Sequence, residues 1–189
     1  PEWSADGSSV RDSSSRATVN SRGGQPADGI APATLVFERP DPIREGVCTP
    51  DGKAVVYRLE TPGSNRDIYL LPLTGPRTAA PILTGINADK EPRVSPDSKW
   101  LAYVSNESGR EEVYLRALSA GGGRIPVSTG GGGEPVWSRD GRRLFYRDRA
   151  RMMAATITTS PAPAVLSREV LFEGPFATDL YHPNFDVAP

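Results

Sequence analysis

The chain reads as an all-β protein, a β-propeller built from four-stranded antiparallel blades, and three observations say so. A short motif returns at a near-constant interval. Each copy is followed by apolar runs of strand length. Glycine and proline contribute 19 residues each to a chain of 189, about a fifth of the whole against an average of roughly 12 per cent. No segment of about 12 or more residues holds helical periodicity, which disfavours an alternating βα architecture.

The repeat comes first because it sets the architecture. Trp3-Ser4-Ala5-Asp6-Gly7 returns as Cys48-Thr49-Pro50-Asp51-Gly52, Val94-Ser95-Pro96-Asp97-Ser98 and Trp137-Ser138-Arg139-Asp140-Gly141. Its aspartates Asp6, Asp51, Asp97 and Asp140 lie at intervals of 45, 46 and 43 residues, and Val187-Ala188-Pro189 opens a fifth copy. Periods in the forties to about 50 belong to propeller blades. The motif is a turn: proline presets φ, aspartate bonds its own backbone and glycine accepts positive φ.

The strands follow in order. After the turn comes an apolar strand, Ala54–Tyr57, Trp100–Val104 or Leu144–Tyr146. A polar turn, 61–66 or Asn106–Arg110, leads to a third strand at Asp67–Leu71 or Glu112–Leu115, with Met152 and Met153 in the corresponding place. A turn containing glycine leads to a fourth, Ala80–Leu83 or Arg124–Val127. Four short strands per period make one blade. The repeat units run 1–44, 45–89, 90–133 and 134–183, and 184–189 starts the next repeat. The first unit departs from the pattern. Residues 8–25 are poor in apolar side chains and rich in serine, arginine and glycine, so they read as disordered, or as a surface insertion. Order resumes at Pro26–Gly29 and the strand Thr34–Phe37.

Composition excludes several functions. Lys+Arg 22 against Asp+Glu 23 gives a net charge of −1, without the basic footprint of a nucleic-acid binder. No apolar run approaches the roughly 20 residues of a membrane helix, and no amino-terminal signal-peptide pattern is read. One cysteine, Cys48, rules out an internal disulfide framework; at the motif's tryptophan position it reads as a packed thiol. One histidine, His182, gives no metal-ligand spacing, and no cofactor is implied. Neither a Gly-x-Ser-x-Gly elbow nor a kinase signature occurs, and catalytic residues are expected to be none. The runs Gly121–Gly123 and Gly130–Gly133 match no phosphate-loop pattern and read as propeller loops.

One spacing carries a functional candidate. Six positions before each of three aspartates stands a glutamate: Glu45, Glu91 and Glu134. The strand entering the turn is the innermost of a blade and lines the central channel. Alternation places Glu45, Val47 and Thr49 on one side, with Glu91, Arg93 and Ser95 equivalent in the next blade. Two readings follow. The three carboxylates form an acidic arc at the channel mouth that, with Arg93, takes a cationic or peptide-amine ligand. Alternatively each pairs with a neighbouring cation such as Arg44, Lys90 or Arg93, or caps backbone amides.

The motif Pro-x-Trp-Ser-Pro-Asp-Gly followed by an apolar strand ending in Tyr or Phe resembles the TolB-like, WD40-like (PD40) β-propeller family, over nearly the whole chain. Ser95–Ala117, Glu134–Ser138, Leu144–Arg147, Arg151–Ala154 and Leu171–Gly174 look more specifically like propellers fused to bacterial serine/threonine protein kinases. The resemblance implies a parent of about six or seven blades, within the general range of 4–8, so a partial propeller is expected here. It also implies an extracytoplasmic, non-catalytic module that binds a protein, peptide or small ligand and reports to a kinase. Dipeptidyl-peptidase-like hydrolases carry related propellers. A gate for such a hydrolase, or a stand-alone TolB-like periplasmic scaffold, is therefore the alternative.

Overall fold

The structure is a computed structural model. It describes strand backbone at 2–3, 9–16, 19–26 and 34–39, and residues 43–60, 65–119, 121–175 and 185–187 with their side chains. Among the described residues there are strands and turns but no helix. In these described residues, sixteen strands form four antiparallel sheets, each a meander in chain order. The first holds β1 (Glu2–Trp3), β2 (Ser9–Arg16), β3 (Val19–Pro26) and β4 (Thr34–Arg39). The second holds β5 (Ile43–Cys48), β6 (Ala54–Glu60), β7 (Arg66–Pro72) and β8 (Ala80–Leu83). The third holds β9 (Asp89–Val94), β10 (Trp100–Ser105), β11 (Glu112–Ala117) and β12 (Arg124–Pro126). The fourth holds β13 (Gly133–Trp137), β14 (Arg143–Asp148), β15 (Arg151–Thr158) and β16 (Ala164–Glu173). This is the partial propeller the repeat predicts.

The first sheet brings a correction. Much of 8–25, expected to be disordered, forms the paired strands β2 and β3, in register from Ser9↔Pro26 to Arg16↔Val19. Strand pairing engages main-chain groups, which serine, arginine and glycine supply as well as apolar residues do. β3 also has β4 on its other side. Asp6 and His182 lie outside the described residues, and Trp3 falls in β1.

Among the described residues the core sits in the seams between blades, because the inner strands of the second and third sheets are buried on both faces. Leu101 and Tyr103 of β10 pack with Val47, Val56 and Ile68 of the second blade. Their neighbours Ala102 and Val104 pack on the other side with Leu144, Tyr146, Ala155 and Ile157 of the fourth. β6 divides likewise, Val56 to one side and Val55, Tyr57 and Leu59 to the other. Hence the near-continuous apolar runs: a strand covered on both faces has no solvent side to alternate with. Cross-strand tyrosines stack in two blades, Tyr57 on Tyr69 and Tyr103 on Tyr114, with centroids 5.8 Å apart in each pair.

The Asp turns are one structure made three times. Thr49, Ser95 and Ser138 each donate a hydroxyl hydrogen to Oδ1 of Asp51, Asp97 or Asp140, at 2.6, 2.5 and 2.6 Å. The same oxygen accepts the N–H of Lys53, Lys99 or Arg142 at 3.0–3.1 Å. The next residue, Gly52, Ser98 or Gly141, has φ of 71°, 60° or 69°. Glycine takes that conformation freely, while serine does so at a cost.

Candidate functional site

β5, β9 and β13 are the first strands of their sheets and lie side by side. Each carries a register break at its glutamate: between Ile43 and Glu45, at Glu91-Pro92 against β10, and at Glu134-Pro135 against β14. Glu91 and Glu134 sit in the left-handed region at φ 55° and 54°. That conformation is uncommon for a residue with a Cβ, and the proline after each removes an N–H that a bulge leaves without a ladder partner.

The bulges turn the carboxylates sideways, into the seams. The N–H of Glu91 donates to Glu45 Oε2 at 2.7 Å, and the N–H of Glu134 donates to Glu91 Oε2 at 2.5 Å. Glu45 and Glu91 thus each hold the corresponding bulge of the following blade. The three residues are 2, 2 and 5% exposed. Buried carboxylates need cations, and each has one. Arg58 Nε lies 3.1 Å from Glu45 Oε2, Lys90 Nζ 3.4 Å from Glu91 Oε1, and Arg147 Nε 3.6 Å from Glu134 Oε2. Lys90 also reaches Glu111 Oε1 at 2.8 Å. Burial pushes the Glu45 carboxyl above its usual range, against the opposing pull of Arg58 and the Glu91 N–H. Burial also works against the Lys90 ammonium, but Glu111 and Glu91 outweigh it and hold the group above its usual value.

Of the residues the spacing singles out, the structure brings Glu45, Glu91 and Glu134 together with Lys90. Arg44 instead pairs with Glu60 at 2.7 Å, and Arg93 donates to the Pro92 carbonyl at 2.8 Å. Trp137 Nε1 donates to the Arg93 carbonyl at 3.2 Å, another link between blades. The cations that sequence reasoning missed are Arg58 and Arg147. Their signal was present: each stands seven positions after its motif aspartate. In the third blade that position is Val104, and Lys90, from the neighbouring strand, supplies the charge.

The loops at the glutamate end are also tied together. Asn106 Oδ1 accepts the Ala88 N–H at 2.8 Å, and the Gly132 N–H donates to the Glu111 carbonyl at 3.0 Å. Glu112 collects Arg110 Nε at 2.7 Å, the Gly131 N–H at 3.0 Å and the Ser128 hydroxyl. At Gly132 a Cβ would stand 2.5 Å from Ser128 Oγ, so the glycine loop is fixed by close approach. At the opposite end, a cleft of about 660 Å³ opens between the third and fourth blades, with Asp97, Trp100, Asp140, Arg142, Ile157 and Leu166 in its walls. Among the described residues, no group of three or more His, Cys, Asp or Glu is placed to hold a metal.

Sheet order, seam packing and the repeated inner strand define a partial β-propeller, and its fold is similar to that of TolB. TolB from Acinetobacter baumannii superposes with a TM-score of 0.70 at 17% identity, over 90% of this chain and 42% of that one. A putative TolB from Agrobacterium tumefaciens gives 0.68 at 20%, over 90% and 63%. No family model matches the chain. In sequence, 58 residues, 30% of the chain, are 40% identical to dipeptidyl aminopeptidase BI of Pseudoxanthomonas mexicana, and they span 8% of that protein. The chain therefore covers less than two thirds of each of these relatives.

Proposed function

We propose that this propeller is a non-catalytic module that binds a protein or peptide, and that it serves as the extracytoplasmic sensor region of a bacterial receptor-type serine/threonine kinase. The observation that carries the binding role is the loop end of the blades. There, two exposed arginines are pre-arranged by hydrogen bonds to less exposed carboxylates: Arg110 to the buried Glu112 and Arg124 to Glu107. Such a rigid polar surface suits recognition of a partner with little ordering cost. The channel-mouth alternative, a cationic ligand on Glu45, Glu91, Glu134 and Arg93, has less support, since the carboxylates are buried and already committed to amides and cations. The kinase assignment rests on the resemblance of Ser95–Ala117 and Glu134–Gly174.

A second reading has its own support. The 58-residue match to a dipeptidyl aminopeptidase favours a propeller that restricts access to a hydrolase site. The coding DNA on both sides separates the two. Kinase signatures followed by an apolar run of roughly 20 residues upstream are the expected result. A downstream Gly-x-Ser-x-Gly with later Asp and His overturns the sensor reading and establishes the gate.

A further inference from the structure

The outer strands of the three fully described blades are unequal. β8 has four residues and β12 three, but β16 has ten. Short outer strands are one way proteins keep a sheet edge from pairing with other chains. β16 departs from that rule in length, though bulges at Leu166 and Leu171 interrupt its ladder with β15, and it presents apolar side chains as well: Leu166, Val170 and Leu171 are 65, 46 and 40% exposed. Its inner edge pairs with β15, and among the described residues no strand pairs with its outer edge. Arg168 holds the strand to the third blade, donating from Nε to the Val127 carbonyl at 2.6 Å and from its terminal nitrogen to the Pro126 carbonyl at 3.1 Å. The edge is thus long, apolar and held in place.

The sequence of β16, Ala-Val-Leu-Ser-Arg-Glu-Val-Leu-Phe-Glu, says what fits it. Written antiparallel against itself about Arg168, it sets Leu166 beside Val170, Val165 beside Leu171 and Ala164 beside Phe172, with Ser167 beside Glu169. The faces agree where the ladder is regular. Ser167 and Glu169 pair with Thr156 and Ala154, which share one side of β15, while Arg168 pairs with Ala155 on the other. The two Arg168 side chains at the dyad are each engaged by carbonyls of their own chain, so their charges are drawn back from the seam. We propose that β16 is a self-pairing edge, and that two copies of this chain join through it as an antiparallel dimer with a twofold axis at Arg168. A twofold contact of this kind uses the same patch on both copies and closes on itself, so it stops at two rather than extending into a fibre.

Sedimentation of the 189-residue chain over a series of concentrations tests this. The expected result is a reversible monomer–dimer equilibrium. Leu166→Lys and Val170→Lys, both at exposed positions, should each weaken association by at least about tenfold while keeping the parent's circular dichroism. In the parent, those amides of Ser167–Glu169 that face away from β15 should exchange more slowly as concentration rises. A chain that stays monomeric at every concentration overturns the proposal. So does a dimer indifferent to both lysines, or one that leaves these amides equally open.

Discussion

The buried pairs make their own predictions at the scale of single residues. Glu45→Ala removes both the acceptor for the Glu91 N–H and the nearer counter-charge of the buried Arg58 guanidinium, which is left with Glu60 at 3.9 Å. Removing one partner of a buried pair costs about 3–5 kcal/mol, and urea unfolding at neutral pH should show a loss of that order. The pH dependence follows from the raised Glu45 carboxyl. A folded-state value above 4.5 penalises the folded chain while the group is ionised, and the penalty is relieved as pH falls through the folded value toward 4.5. The gap in stability between parent and Glu45→Ala should therefore widen over that window, and a constant gap would contradict the assignment. The turn aspartates act in the opposite sense. The Thr49 and Ser138 hydroxyls, with backbone N–H groups, hold Asp51 and Asp140 below 3.8, so their support is lost only at lower pH. Ser98 offers a contrast of another kind: it is strained at φ 60°, yet its hydroxyl accepts the Asp51 N–H at 3.1 Å. Ser98→Ala keeps the strain and loses the bond, and should cost about 0.5–1.5 kcal/mol in thermal unfolding. Ser98→Gly relieves the strain and should come out close to neutral.

The strands and loops were legible to different degrees. The turn chemistry and the apolar runs after Asp51, Asp97 and Asp140 located β6, β10 and β14 to within a few residues, because local propensity and seam packing agree there. The first blade was not legible, since β2 and β3 are formed by main-chain pairing that their side chains do not announce. At the site, the spacing of Glu45, Glu91 and Glu134 was visible, but the direction of the carboxylates was not. A left-handed bulge at Glu91 or Glu134 cannot be read from strand alternation, which assumes a regular pleat. Arg58 and Arg147 each stand 13 residues after their glutamate, on the next strand, so only their common offset from the aspartate marks them. Seam packing also sets a test for a whole strand. Leu101 is fully buried against the second blade, and Leu101→Ala should cost about 2–5 kcal/mol in urea unfolding. In the loop before β13, Gly132→Ala places a methyl group against Ser128. It should break the Glu112–Ser128–Gly131 cluster and speed proteolysis between the third and fourth blades.

From the second blade to the fourth, successive blades are joined twice, by apolar seams and by a relay of inner-strand glutamates. Each of these carries its own cation, and Glu45 and Glu91 hold the next bulge by a single N–H. The relay has a direction: Glu45 holds Glu91, and Glu91 holds Glu134. Amide hydrogen exchange, followed by NMR in the parent chain and in Glu45→Ala, tests it most directly. The account expects both the Glu91 and Glu134 amides to be protected in the parent. In the variant, exchange at Glu91 should accelerate by at least about tenfold, in line with the loss of a charge-assisted bond worth roughly 1.5–3 kcal/mol, while Glu134 stays protected in the same sample. Unchanged protection at Glu91, or equal acceleration at both amides, would contradict it.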